Sequence, residues 1–138
     1  MNRRSLLASL SLAPVSMLAG CSGSCSQGLF GTSMPHDGAI AVERTDSVPE
    51  RATIIRFSQL PASEQSILRT GVEDGVVRAC LDDEDEATSA MWSFSNRLAG
   101  DESYLAYRDD HYALWARMTD QVYGGSASPP ETDADPCC

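Results

Sequence analysis

The chain contains no lysine: its ten cations are all arginine, set against twenty Asp and Glu, for a formal charge of −10. Lysine is among the commonest residues of ordinary domains. A shortage of cations this deep excludes nucleic acid as a partner, because phosphate binding needs basic patches. Histidine is nearly absent too, with only His36 and His111. No Gly-x-Ser-x-Gly, His-Glu-x-x-His or phosphate-loop pattern occurs. The motifs therefore assign no catalytic residue, no metal site and no cofactor. No apolar run reaches the roughly 20 residues needed to cross a bilayer as a helix.

What is present begins at the N-terminus. Arg3 and Arg4 precede a segment of mostly Leu, Ala, Val and Met from Ser5 to Ala19, interrupted by Pro14. It ends in Leu18-Ala19-Gly20-Cys21, which resembles a bacterial-type lipobox. The resemblance implies that residues 1–20 are a signal peptide and that Cys21 becomes a lipidated N-terminus. Asn2-Arg3-Arg4-Ser5-Leu6-Leu7 is similar to a twin-arginine export signal. The implied location is the outer face of the cytoplasmic membrane, with the membrane as partner through the lipid. A diacylglyceryl group holds stably where a single acyl chain gives only marginal anchoring.

Residues 21–38 comprise the lipidated Cys and a Ser- and Gly-rich tether. At roughly 5–6 Å × √n, such a tether keeps the domain on the order of 20–25 Å from the membrane. Residues 124–138, with Gly, Ser, Pro and acids, read as a disordered acidic tail. Residues 39–123 remain as one small α+β domain: an antiparallel sheet with a C-terminal β-hairpin, plus two helices.

Within it, Ala39–Arg44 and Thr53–Phe57 read as strands, with Thr53, Ile55 and Phe57 on one face. A helix starts near Pro61, lines up Ile67, Leu68, Gly71 and Val72, and ends at Gly75. Val76–Leu81 is a strand or a buried connection. The acidic run Asp82–Glu86 fails the EF-hand template. It suits instead the N-terminus of a second helix, whose dipole it complements. That helix places Ala87, Met91, Phe94 and Leu98 on one face, and Gly100 closes it.

Ser103–Arg108 and His111–Met118 read as a hairpin around Asp109-Asp110, with a four-residue loop as the alternative. In the two-residue form Tyr107 faces Tyr112 and Leu105 faces Leu114, on the core side with Met118. Tyr104, Arg108, His111, Trp115 and Arg117 fall on the other side. Tyr104, Trp115, Arg108 and Arg117 form a candidate binding face, aromatics with Arg being common interface anchors. The alternative is that the helices cover this face. His111 beside Asp109 or Asp110 is more simply a solvated turn residue than a catalytic one.

The Leu60-Pro61…Glu64…Gly75 helix and Tyr107-Arg108-Asp109-Asp110-His111-Tyr112 resemble small secreted lipoproteins of halophilic archaea that carry a domain of unknown function. Their hairpin is Tyr-x-Asp-Gly-x-Tyr-like, with Gly where Asp110 stands here. The resemblance implies an exported, lipid-anchored module and brings no catalytic residues. The acidic, lysine-free composition agrees with it: at molar salt the Debye length is about 3 Å, which screens carboxylate repulsion.

Besides Cys21 the chain has Cys25, Cys80, Cys137 and Cys138. No pair has Cys-x-x-Cys spacing, and outside the membrane disulfides are the default. Cys80 is expected to bond Cys137 or Cys138, since pairing with Cys25 draws the domain onto the membrane. Loop entropy does not choose, each closure being worth about 4 kcal/mol. The leading reading is a non-enzymatic, lipid-anchored cell-surface module that binds another envelope component or has a structural role. The alternative is a thiol-based metal-binding or redox protein of the envelope.

Overall fold

The computed structural model describes residues 35–100 and 102–131. The leader, the lipobox Cys21, Cys25, most of the tether, Cys137 and Cys138 lie outside the described residues. In chain order the elements are β1 (Asp37–Thr45), β2 (Thr53–Arg56), a 3-10 turn (Phe57–Gln59), α1 (Ala62–Asp74), β3 (Val76–Cys80), α2 (Glu86–Ser95), β4 (Ser103–Tyr107), β5 (Asp110–Met118) and β6 (Gln121–Gly125). The class is α+β, with two helices against a six-stranded, mostly antiparallel sheet.

The sheet runs β2-β4-β5-β1-β3, and β6 also pairs with β5. A strand has two edges. β1 covers one edge of β5 along its length, from Thr45 opposite His111 to Gly38 opposite Met118. β4 and β6 share the other edge end to end: β4 pairs with residues 110–113 and β6 with residues 115–118. Ser126 seals the junction between them. Its Oγ accepts from the Leu114 N–H at 2.7 Å and donates to the Ser103 carbonyl at 2.6 Å. The N–H of Ala127 then donates to the Leu114 carbonyl at 3.0 Å. The ordered chain thus includes Gly124 to Ala127, which composition alone assigns to the tail. Glycines supply ladder hydrogen bonds as well as any residue does; what they lack is the side chain that marks a strand in sequence.

Both helices lie on one face of the sheet. α1 runs from Pro61 as its N-cap to Gly75, whose φ of 82° is the left-handed conformation glycine adopts without strain. Gly71 allows the close approach of α1 to β1, since a Cβ there would sit 2.7 Å from Val42 Cγ2. α2 begins at Asp85 and buries Thr88, Ala90, Met91, Phe94 and Ser95. Ala87, expected on that face, is exposed, and the helix ends at Ser95 rather than near Gly100. Ile40, Leu68, Met91, Phe94, Leu105, Leu114 and Met118 form the centre of the core, each fully buried. Between the helices, buried Glu64 accepts from Ser93 Oγ at 2.6 Å and from Arg97 Nε at 2.9 Å.

The Asp85 carboxylate caps α2, accepting from the Thr88 N–H at 2.8 Å. That bond to the Thr88 backbone, helped by a second from its side chain, holds the carboxyl below its ordinary value of 3.8. A lowered folded-state pKa stabilises the fold fully above the unfolded value and loses that contribution as pH falls through the folded value. Asp85→Asn keeps the oxygen acceptor but does not titrate. Wild type is therefore expected to lose more stability than Asp85→Asn between about pH 5 and about pH 3. Urea unfolding at the two pH values checks this, and equal losses would remove the cap from the acid response.

The β4–β5 hairpin differs from expectation in its turn. Tyr107 pairs with Asp110, so the two-residue loop is Arg108-Asp109, with Arg108 at φ 56°. The ladder is shifted by two residues from the expected pairing, with Leu105 opposite Tyr112. An even shift leaves every side chain on its face. Leu105, Tyr112, Leu114 and Met118 accordingly lie in the helix-covered core, with Tyr107 packed against it.

Candidate functional site

The expected binding face does not form as one surface. Trp115 is only 8% exposed, packed with Ala39, Ala41, Ala113 and Ala127 and flanked by half-buried Tyr104. Arg117, at the far end of β5 from Arg108, is committed to an ion pair. Its Nη2 lies 2.7 Å from Oδ1 of Asp37, a carboxylate with no solvent exposure. Arg78 approaches the other oxygen at 3.3 Å. Arg117 also donates to the Thr119 carbonyl, and the Thr119 N–H donates to the Asp37 carbonyl at 3.1 Å. These contacts tie β1, β3 and β5 to the β5–β6 turn, where Thr119 sits at φ 57°. This corner is structural. The small second cluster buries the indole, and Asp37 takes up the guanidinium, so neither is left to form a surface.

Arg108 alone of the four expected residues lies at an open site. β2 and β4 are parallel, with Arg56 opposite Ala106. Parallel pairing sets the carboxyl ends of the two strands side by side, so the next residues, Phe57 and Tyr107, meet. Their ring centroids are 4.4 Å apart, tilted by 58°. The Arg108 guanidinium lies over Tyr107 at 5.1 Å and that of Arg69, from α1, over Phe57 at 5.8 Å. Arg56, Phe57, Ser58, Ala106, Tyr107 and Arg108 line an open cavity of about 490 Å³. A second one, of about 390 Å³, between the starts of α1 and α2, is lined by Ser63, Ser66, Asp85 and Glu86 and gathers no cation.

The arginine ledger sets the first site apart. Among the described residues Arg44 pairs with Asp110, Arg78 and Arg117 with Asp37, and Arg97 with Glu64. Arg51, Arg56, Arg69 and Arg108 form no ion pair. Three of these four surround one aromatic pair. The turn position of Arg108 adds to this, because a positive φ at the first loop residue favours glycine. A guanidinium there, at a strained backbone position, is the kind of departure that accompanies binding sites.

The remaining candidates carry less. His111 is exposed and forms no ion pair, and Asp110, its neighbour, is held by Arg44 at 2.6 Å. Cys80 ends β3 half-buried; Cys25, Cys137 and Cys138, its candidate partners, lie outside the described residues. No group of three or more His, Cys, Asp or Glu among the described residues is placed to hold a metal. Phe57, Arg56 and Arg69 escape sequence reasoning because the parallel β2–β4 pairing joins residues some fifty apart with no local signature. No family model matches the chain, and neither does any curated protein or solved structure.

Proposed function

We propose that this chain is a lipid-anchored, non-enzymatic binding module on the outer face of the cytoplasmic membrane, with its ligand site at the Phe57–Tyr107 pair. The observation that carries the reading is the gathering of Arg56, Arg69 and Arg108, all without ion pairs, in a chain with twice as many acids as arginines. Packing alone does not call for it. A cavity of about 490 Å³ is in the range of small-ligand sites. The lipobox-like Leu18-Ala19-Gly20-Cys21 supports the anchor.

The test is a thermal-shift screen of the full chain in detergent against neutral sugars, amino acids, carboxylates, phosphates and divalent cations. At least one compound is expected to raise Tm by about 5 °C or more at saturation. The rise should vanish in the Arg56→Gln/Arg108→Gln double variant. A panel with no hit, or a rise that survives the double variant, would overturn the assignment.

A further inference from the structure

We infer that the pocket between Arg56 and Arg108 binds a multivalent oxyanion, phosphate or polycarboxylate, an inference that rests on the ligand site proposed above. No hydrogen bond within the described residues uses the side-chain N–H groups of Arg56, Arg69 or Arg108. Each guanidinium carries five N–H donors in a planar fork that matches carboxylate and phosphate oxygens. A cation–π contact, such as Arg108 over Tyr107 at 5.1 Å or Arg69 over Phe57 at 5.8 Å, uses the charge of the guanidinium and forms no conventional hydrogen bond. Ser58, which lines the same cavity, adds a hydroxyl donor.

Charge narrows the ligand further. Asp109 shares the turn with Arg108 and forms no ion pair. The chain as a whole is strongly acidic, so its far field repels anions. Attraction must come from contacts within the pocket. Short, bidentate contacts survive salt that screens a diffuse field. Chloride presents no pair of oxygens to match a guanidinium fork, whereas a phosphate or a polycarboxylate presents several.

The position of Arg108 provides a clean test, because Arg108→Gly removes the guanidinium and at the same time relieves the positive φ. The full chain in detergent is titrated calorimetrically with inorganic phosphate and with citrate, at fixed ionic strength in KCl. Saturable binding to at least one is expected, weakened about tenfold or more in Arg108→Gly and in Arg56→Lys/Arg108→Lys. Tm in Arg108→Gly should be unchanged or raised. Vesicles of phosphatidylglycerol and of phosphatidylcholine complete the set. Binding to the former alone, lost in Arg108→Gly, identifies the oxyanion as a lipid headgroup; its absence with phosphate or citrate bound identifies a free solute. Failure of all the anionic probes to bind up to about 10 mM overturns the oxyanion assignment, as does binding that Arg108→Gly leaves intact. If a neutral compound from the thermal-shift screen still depends on Arg56 and Arg108, the binding module stands and only the ligand class falls.

Discussion

Asp37→Ala is expected to destabilise the fold by about 3–5 kcal/mol, a large share of the roughly 5–15 kcal/mol that holds a domain together. The carboxylate is wholly buried and faces two guanidiniums, Arg78 and Arg117, whose side chains are 19% and 20% exposed. Removing it takes the carboxylate away from Arg117 and from one side of Arg78 in the sheet corner. It also frees Arg117, which anchors the left-handed Thr119 turn through that residue's carbonyl. Asp37→Asn retains an acceptor oxygen and should cost less than Asp37→Ala. Replacing all three residues by apolar ones of similar volume should recover much of the loss, because a buried ionic group adds little over good packing. Urea denaturation of the full chain measures each. A loss below about 1 kcal/mol for Asp37→Ala would show that the arginines find other partners and that the corner is not held by charge.

The second large effect concerns location. Cys21→Ala is expected to move the protein out of the membrane fraction, or to leave it there at its precursor mass. The apolar stretch before Cys21 is shorter than the roughly 20 residues of a spanning helix, and no helix among the described residues is long and apolar enough to cross a membrane. Under the proposed anchoring the thioether lipid supplies the attachment, so its loss should be close to complete rather than graded. Fractionation with intact mass determination decides it. A variant that stays membrane-bound at the mature mass would remove the lipid anchor from the proposed function.

What could be read in advance followed the range of the interaction. The two helices come from repeats of three and four residues and from local caps, and Asp85 and Gly75 mark their ends as a single segment can. The hairpin faces were legible because the apolar residues alternate. Its turn was not, since Arg108 occupies a site that glycine ordinarily fills. β6 was hidden by Gly124 and Gly125, which bond through backbone alone. The candidate site was the least legible part. It depends on Arg56 and Tyr107 arriving together across a parallel pair, while Trp115 and Arg117, aromatic and cationic in the expected way, are drawn into packing and an ion pair.

The shared edge of β5 also sets the order of events in time. Three of the five other strands bond to β5 directly, and β2 bonds to one of those three. Until β4 has been made, the only ladder open to the growing chain is that between β1 and β3, and the two halves of the sheet, β1–β3 and β2–β4, join only through β5. At synthesis rates of about 5–20 residues per second, the β1 edge that β5 will cover waits for seconds without its partner. Joining the halves on β5 is then a late step that pairs segments far apart in sequence, which slows folding relative to a domain built from local contacts. A chain stopped before β5 therefore holds two separate half-sheets with nothing to join them.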